Sequence, residues 1–385
     1  MDFVSTGVFH LKRQAEVGCR VFFFIVVTVV DQRFDRLVPI SQRSTTVFPP
    51  GVIEIGKEAF AACSQLTSIS LPSTVTTLGE NLFEESSRLE SIYVAPGNPH
   101  FSSIDGLLLS GTGDKLLQCP EGRTGPLTIP AGVTTVGASA CRDCVHLTEV
   151  TIPPGVTTIE SRAFKACERV HRFSIAESVT SIGAFAFQGC DWLNRITIPS
   201  QLESIGSYAF SGCDDLIAAF FLGKAPLLGT DVFIGSKPEF AVFFLSSQTG
   251  FTYPEWNGYP SREIDEGAHP AAAWLLRHGY WHDHDLDQDP NRDGVSLLMG
   301  YALNLDPRRN LQGRLPVPLI EADHISVTFY GAQPGITYSV QTSEDLEDWT
   351  STGVILSDPD LDGIRIGSVV RDSPSRFLRL VVEAD

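Results

Sequence analysis

The sequence has few basic residues and lacks a long apolar segment. Lys and Arg number 28 against 46 Asp and Glu, which gives a formal net charge of −18 at pH 7. Clustered Lys and Arg attract nucleic acid and anionic lipid, so this balance argues against nucleic acid as a partner. No apolar run reaches the roughly 20 residues that a membrane-spanning helix needs. We therefore expect no insertion into a membrane.

The sequence also lacks the common catalytic motifs. It contains no GxSxG elbow, no HExxH pair and no phosphate-binding loop. An enzyme acting on polysaccharides would need paired carboxylates in one patch. We predict a non-enzymatic protein without catalytic residues, and a β-solenoid enzyme acting on polysaccharides is the weaker alternative.

The N-terminal segment, residues 1–46, allows two interpretations. Lys12, Arg13 and Arg20 precede the apolar run Val21 to Val30, which loosely resembles the charged and hydrophobic parts of an export signal. The run is too short to span a bilayer, and no small-x-small cleavage site follows it. The segment is either a degenerate signal or a buried strand that caps the region after it.

A repeat of 23 residues organises more than half of the chain. It is clearest where "LTEVTIPPGVTTIESRAFKAC", from Leu147, is aligned with "LNRITIPSQLESIGSYAFSGC", from Leu193. The aromatic position of the repeat holds Phe60, Phe83, Cys141, Phe164, Phe187, Phe210 and Phe233. The glycine position holds Gly56, Gly79, Gly137, Glu160, Gly183, Gly206 and Gly229, where we expect glycine to provide a turn with positive φ.

Each repeat predicts one coil of a solenoid. Ile196 and Ile198 alternate with polar residues as in a strand, Leu202 and Ile205 indicate a second short strand, and the "AF..C" stretch suggests one helical turn. A single coil buries too little apolar surface to fold alone, so neighbouring coils must stack. The surplus residues between Val94 and Leu127 predict a hairpin that bulges from one coil.

The cysteines keep the same spacing. Cys144, Cys167, Cys190 and Cys213 are 23 residues apart, and Cys63 holds the same position earlier in the chain. We expect these thiols to stack inside the solenoid as small apolar groups. The alternative is a zinc or redox site at the pair Cys141 and Cys144.

The pattern LxxIxIPxxVxxIGxxAFxxC over residues 47–262 resembles the BspA-type leucine-rich repeat of bacterial and protist surface proteins. The sequence departs from it at Cys141, at Glu160 and after Ile175, where proline is missing. The resemblance implies an α/β leucine-rich-repeat solenoid, with short parallel strands and one helical turn per coil. It also implies a non-enzymatic protein, secreted or at the cell surface, that binds or adheres to protein or glycan ligands. A structural stalk that presents the C-terminal module is a further alternative.

One face of the solenoid is predicted to carry the ligand. Side chains that alternate with buried strand residues point outward, and they form one row with many hydroxyls and another with Glu149, Arg172 and Arg195. Tyr93 and Phe220 could add aromatic anchors. The candidate ligand-binding residues are Tyr93, Glu149, Arg172, Arg195 and Phe220.

After the repeats, residues 263–312 predict a helical, acidic connector. Asp289, Asn291, Asp293 and Gly294 occupy positions 1, 3, 5 and 6 of a calcium loop. The segment resembles a connector found before the terminal domains of secreted bacterial proteins. Gly300 stands where a calcium loop has its bidentate Glu, so the segment is either a weak calcium site or a solvated acidic linker without a cofactor. If the loop binds calcium, Gly300→Glu should tighten the binding.

Residues 313–385 complete the predicted organisation. Apolar and polar residues alternate between closely spaced turns from His324 to the end of the chain, which predicts a small all-β sandwich. The stretch resembles a C-terminal module that follows such connectors in secreted bacterial proteins. The predicted segments are therefore 1–46, 47–262, 263–312 and 313–385.

Overall fold

The computed structural model describes the strand backbones at 7–10, 24–27 and 45–46, and residues 48, 51–321, 323–371 and 376–385. It divides the chain into two compact units. The first comprises Met1–Phe244 with Gln248–Glu263, and the second comprises Leu245–Ser247 with Ile264–Asp385. Within these described residues, no helix is long and apolar enough to cross a membrane.

The first unit begins with an antiparallel pair, β1 (Gly7–His10) and β2 (Phe24–Val27). The remainder of the predicted N-terminal segment lies outside the described residues, and so does the choice between a signal and a cap. From β3 onward the chain winds into the predicted solenoid of short parallel strands.

The first strand of each coil forms one wall of the solenoid. Residues 23 apart pair in parallel, as Glu149 does with Arg172, because every coil places the same position at the same height. The wall consists of β3 (Thr45–Thr46), β5 (Ser68–Leu71), β7 (Ser91–Val94), β11 (Gly125–Thr128), β13 (Leu147–Ile152), β15 (Arg172–Ile175), β17 (Arg195–Ile198), β19 (Ala218–Phe221) and β21 (Ala241–Leu245).

The second strands form another wall. They are β4 (Glu54–Ile55), β6 (Thr77–Leu78), β10 (Lys115–Gln118), β12 (Thr135–Val136), β14 (Thr158–Ile159), β16 (Ser181–Ile182), β18 (Ser204–Ile205) and β20 (Leu227–Leu228). From β10 to β20 these strands pair in parallel within one sheet. A hairpin of β22 (Glu255–Trp256) and β23 (Tyr259–Ile264) follows the last coil.

The stretch after each second strand differs in detail from the predicted helical turn. No α-helix occurs among the described residues 51–263, and the stretch consists of i→i−3 turns. In one coil the Arg142 N–H donates to Ser139 O at 3.1 Å, whereas the Cys141 N–H donates to Ala163 O of the next coil at 2.7 Å. Ser139 and Asp143 have positive φ of 57° and 59°, which turns alternate N–H groups toward the neighbouring coil and ends any helix.

Glycine recurs at one position of the repeat for a different structural reason from the one predicted. Gly79, Gly137, Gly183, Gly206 and Gly229 are absent from the residues with positive φ, so that prediction is wrong. A Cβ at Gly206 would lie 2.4 Å from Ala184 N of the preceding coil. The position therefore serves the close approach of two coil backbones.

Columns of identical side chains fill the solenoid core. Phe164, Phe187, Phe210 and Phe233 stack with ring centroids 4.9 to 5.5 Å apart. The predicted cysteine column is buried beside them, and Cys119, Cys141, Cys144, Cys167, Cys190 and Cys213 are free thiols. Cys63 is buried at its predicted position and is disulfide-bonded, unlike these six cysteines.

The inserted segment does not simply bulge from its coil. It forms an antiparallel meander of β8 (Phe101–Ile104), β9 (Leu107–Ser110) and β10. Asp105 and Gly106 both have positive φ, as a tight hairpin turn requires. Because β10 also pairs in parallel with β12, the insertion supplies the second strand of its own coil.

The second unit joins the predicted connector and the sandwich around one core. Two antiparallel sheets contribute to it, and Gly367 on one sheet lies against Val340 on the other. Helices α1 (Ala272–Arg277) and α2 (Leu297–Ala302) add Trp274 and Tyr301 to the same core. The sheets consist of β24 (Leu319–Ile320), β25 (His324–Tyr330), β28 (Ile364–Val370) and β27 (Val354–Leu356), and of β26 (Ile336–Ser343) and β29 (Phe377–Ala384). The small β module is confirmed.

Candidate ligand-binding face

The strand face, which we define as the outward side chains of β5 to β19, lies where the repeat predicts it. Ser70 pairs in register with Tyr93, and Thr151 with Ser174, so the rows continue across paired strands within each sheet of the wall. Exposure decreases along the row that is rich in hydroxyls. Ser70, Tyr93, Thr128 and Thr151 are exposed, Ser174 and Thr197 are half-buried, and Phe220 is buried.

A charged cluster occupies the middle of the strand face. Glu149 on β13 lies opposite Arg172 on β15, and Arg195 begins the following strand of the wall. Burial, together with the charge of Arg172, lowers the pKa of Arg195. Guanidinium groups bind carboxylate, sulfate or phosphate through paired hydrogen bonds. The cluster can therefore engage an acidic group on a ligand.

Sequence reasoning missed His171, which joins this cluster. Its Nε2 lies 3.3 Å from Glu149 Oε1, and both side chains are about half exposed. His171 directly precedes β15, so the repeat alignment assigns it to neither outward row. Its polar side chain immediately before Arg172 was the only available signal.

Tyr93 stands apart from the charged cluster. It is 51% exposed on β7, whereas β11, β13 and β15 belong to a separate sheet. The inserted meander interrupts the wall at this point, since the Ile92 N–H donates to Gly106 O at 2.8 Å. Tyr93 therefore lies on a second patch of the strand face, before the interruption.

Phe220 is not an exposed anchor. It keeps its predicted register opposite Thr197, but it is 0% exposed and its ring packs against Phe243 in a tilted arrangement with centroids 4.9 Å apart. The alternation of a strand gives the direction of a side chain and does not show whether another group covers it. We therefore remove Phe220 from the candidate binding residues.

The calcium-like loop is closed by its own hydrogen bonds. Asp289 accepts the N–H groups of Asp293 and Gly294 at 3.2 and 2.7 Å. Asp293 accepts those of Val295 and Leu311 at 2.9 and 2.6 Å, and the Leu311 bond is the main reason that its pKa is lowered. Together with Asn291 these residues fit weak calcium at most, because no bidentate carboxylate completes the set.

Gly300 cannot supply that missing ligand. It is buried in α2, and a Cβ at this position would lie 3.5 Å from the Trp274 ring and 3.7 Å from Leu311 Cδ1. A glutamate side chain would thus start against the apolar core of the second unit. That Gly300→Glu tightens calcium binding stays a prediction, and this packing argues against it.

A cavity beside the insertion was not predicted. It is an open cavity of about 570 Å³ between the turn around Phe83 and the turn around Arg142. Glu121 lines it, and burial with the nearby charges of Asp143 and Glu84 raises the pKa of Glu121 to about 8. Arg142 forms an ion pair with Asp143 on its own wall at 3.0 Å and reaches across the cavity to Glu84 on the opposite wall at 3.3 Å. The unequal spacing from Gly79 to Gly137 was the one sequence signal for a gap here.

Comparison with known proteins identifies the repeat. Residues 40–106 and 123–238 match the model of the BspA type leucine rich repeat region, in 6 copies. No curated protein matches the chain.

Several solved bacterial structures resemble the chain. The pneumococcal vaccine antigen PcpA is 22% identical, with 51% of this chain and 55% of that chain covered and a TM-score of 0.44. A leucine rich cell surface protein from Faecalibacterium prausnitzii is 27% identical, with 46% and 53% covered and a TM-score of 0.39. A leucine-rich repeat protein from Eubacterium ventriosum is 24% identical, with 51% and 67% covered and a TM-score of 0.40. The chain thus spans about half the length of the first two.

Proposed function

We propose, from the premise that residues 40–106 and 123–238 are a BspA-type leucine-rich repeat region, that the chain is a non-enzymatic binding or adhesion protein. It acts at the cell surface or after secretion, and its strand face recognises a protein or glycan ligand. The observation that carries the proposal is the charged cluster, in which Glu149 and Arg172 are held in register on paired strands and Arg195 begins the next strand of the wall.

The geometry suits recognition better than chemistry. Consecutive strands lie about 4.8 Å apart, so the rows present evenly spaced hydroxyl and charged groups to an extended ligand. Many modest contacts along such an array can sum to useful affinity. Glu149 is the single carboxylate in the two outward rows from β5 to β19, whereas glycosidic cleavage commonly uses a pair.

Screening the full chain on protein and glycan arrays tests this function. We expect a ligand class whose binding weakens at least tenfold when Glu149→Gln and Arg172→Gln are combined, since both contacts to the ligand would lose charge. A double variant of exposed residues outside the strand face, Arg169→Gln with Glu203→Gln, is the matched control. Binding that survives the first pair would place the ligand elsewhere on the chain, and Tyr93→Ser then tests the second patch.

A further inference from the structure

The cavity beside the insertion occupies the place of a missing turn. Elsewhere in the solenoid the turn stretch of each coil stacks on the next, but the chain between β10 and β11 has only residues 119–124. The turn at 81–85 and the turn at 139–143 therefore face each other across a gap. The gap is the cavity of about 570 Å³, a size typical of ligand sites.

The missing turn leaves backbone donors without partners on one wall. In neighbouring coils the corresponding N–H groups donate to the next coil, as Phe60 does to Leu82 O at 2.9 Å and Phe164 to Ala186 O at 2.7 Å. Among the described residues, the N–H groups of Asn81 and Phe83 have no hydrogen-bond acceptor. Asn81 and Phe83 both line the cavity.

The opposite wall presents the complementary acceptors. In intact coils the carbonyls at the matching positions accept from the preceding coil, as Ser161 O does from the Ser139 N–H at 3.0 Å. In the part of the chain that the structure describes, Ala138 O and Arg142 O accept no hydrogen bond. Both residues line the cavity.

Residues 119–121 satisfy only some of the backbone donors and acceptors on the two walls. The Cys119 N–H donates to Ala140 O at 2.6 Å, and Glu121 Oε1 accepts the Glu85 N–H at 3.2 Å. One donor on the first wall and one acceptor on the second are thereby satisfied. The far end of the solenoid provides a contrast, because there the Phe233 N–H donates to the Tyr259 hydroxyl at 3.2 Å.

We propose that this cavity binds a peptide segment of a partner protein, which takes the place of the missing turn. The segment accepts hydrogen bonds from Asn81 and Phe83 and donates to Ala138 O and Arg142 O. A peptide backbone fits because it alone carries donors and acceptors at the spacing of a coil, as in strand addition to an open sheet edge. Leu82, Leu108 and Leu117 line the cavity and favour an apolar side chain on the segment.

A peptide that copies an intact turn provides the first probe. The sequence IGSYAFSG, from Ile205 to Gly212, carries the backbone pattern of an uninterrupted coil. Added to the full chain at millimolar concentration, it should slow amide hydrogen exchange at residues 78–86 at least tenfold, as measured by mass spectrometry. A scrambled peptide of the same composition should leave that exchange unchanged.

Blocking the cavity gives the decisive comparison. Ala138→Trp fills its rim, whereas Ala184→Trp makes the same change at the equivalent position of an intact coil. We expect Ala138→Trp to abolish the protection and Ala184→Trp to preserve it within twofold. No protection in the unmodified chain, or equal protection in the two variants, would overturn the proposal. Protection that the scrambled peptide reproduces would also overturn it, because binding would then reflect apolar contact alone. Loss of binding at the strand face bears on neither result.

Discussion

At the scale of single residues, Glu121 makes the stability of the first unit depend on pH. Burial, Asp143 and Glu84 raise its pKa from 4.5 to about 8, against the opposing effects of the Glu85 N–H and Arg142. Between these values the folded carboxyl is protonated while the unfolded one is ionised. Rising pH therefore favours unfolding across this window and adds no further penalty above it.

Replacing Glu121 with Gln should remove this dependence. We expect Glu121→Gln to gain stability over the unmodified chain by about 1.4 kcal/mol per pH unit between pH 5 and 8, and to keep a constant advantage above that. Urea denaturation of both proteins at several pH values measures it. Glu203→Gln, which changes an exposed carboxylate, should show no such trend. Parallel pH profiles for Glu121→Gln and the unmodified chain would contradict the expectation.

The thiols of the cysteine column donate hydrogen bonds to buried backbone carbonyls. Cys190 Sγ donates to Phe164 O at 3.3 Å, and Cys213 Sγ donates to Phe187 O at 3.2 Å. One coil has serine instead, and Ser86 Oγ donates to Phe60 O at 2.6 Å. The column is thus a set of small donors that a purely apolar residue could not replace. The sequence predicted its burial but gave no evidence of this donor role.

Two substitutions at Cys190 separate packing from hydrogen bonding. Cys190→Ala removes the thiol donor and leaves Phe164 O with the Cys167 N–H alone at 3.3 Å, so we expect a loss of about 0.5 to 1.5 kcal/mol. Cys190→Ser keeps a donor in the geometry that Ser86 already uses, so we expect it to lose less stability than the alanine variant. Urea melts of both variants check the order. A serine variant as unstable as the alanine variant would show that volume and polarity outweigh the hydrogen bond.

At the scale of elements, the sequence predicted strands better than turns. Alternation of apolar residues placed the strands, because one face of each must be buried. The turn stretch was harder, since its left-handed positions hold residues as different as Asn81, Arg162, Phe185 and Tyr208. Close stacking of successive coils fixes those conformations, and the side chains carry no local signal for them.

The calcium-like loop illustrates the same limit. Its spacing of Asp289, Asn291 and Asp293 suggested ion ligands, whereas the structure shows these oxygens capping backbone N–H groups of the loop and of Leu311. Position 12 of the pattern falls at Gly300, which faces Trp274 in the core. A linear motif specifies the order of ligands and leaves their directions to the surrounding packing.

Gly300→Glu should therefore destabilise the second unit without improving calcium binding. A carboxylate beside Trp274 would be buried without a partner, which costs at least several kcal/mol. Calorimetric titration of the unmodified chain should give weak calcium binding, on the order of 10⁻⁴ to 10⁻³ M, and Asp289→Asn should weaken it further. Thermal unfolding with tryptophan fluorescence measures the destabilisation. A stable Gly300→Glu protein with tighter calcium binding would restore the original expectation.

At the scale of the whole molecule, the repeat period predicted the architecture because each coil reuses the same contacts. Register, core columns and the outward rows all follow from aligning positions 23 apart. The period could not predict the features that arise where the repeat is interrupted. The cavity exists because one coil lacks its turn.

The same break divides the core of the solenoid. Phe83 belongs to a cluster that runs from Val52 to Leu108, whereas Phe187 belongs to one that runs from Leu107 to Trp256. Stacked coils transmit stability mainly to their neighbours. The missing hydrogen bonds between turns should weaken the coupling between the coils on the two sides of the cavity. We therefore expect these two groups of coils to unfold locally as separate cooperative segments.

Hydrogen exchange of two core variants tests this division. Phe83→Ala and Phe187→Ala each remove one ring from a stacked column, a change that costs about 3 to 5 kcal/mol. We expect Phe83→Ala to accelerate exchange in residues 52–94 and to leave residues 147–221 nearly unchanged, with the reverse for Phe187→Ala. If either variant instead accelerates exchange equally on both sides, the parallel pairing of β10 with β12 must carry cooperativity across the gap. The solenoid would then unfold as one unit despite its missing turn.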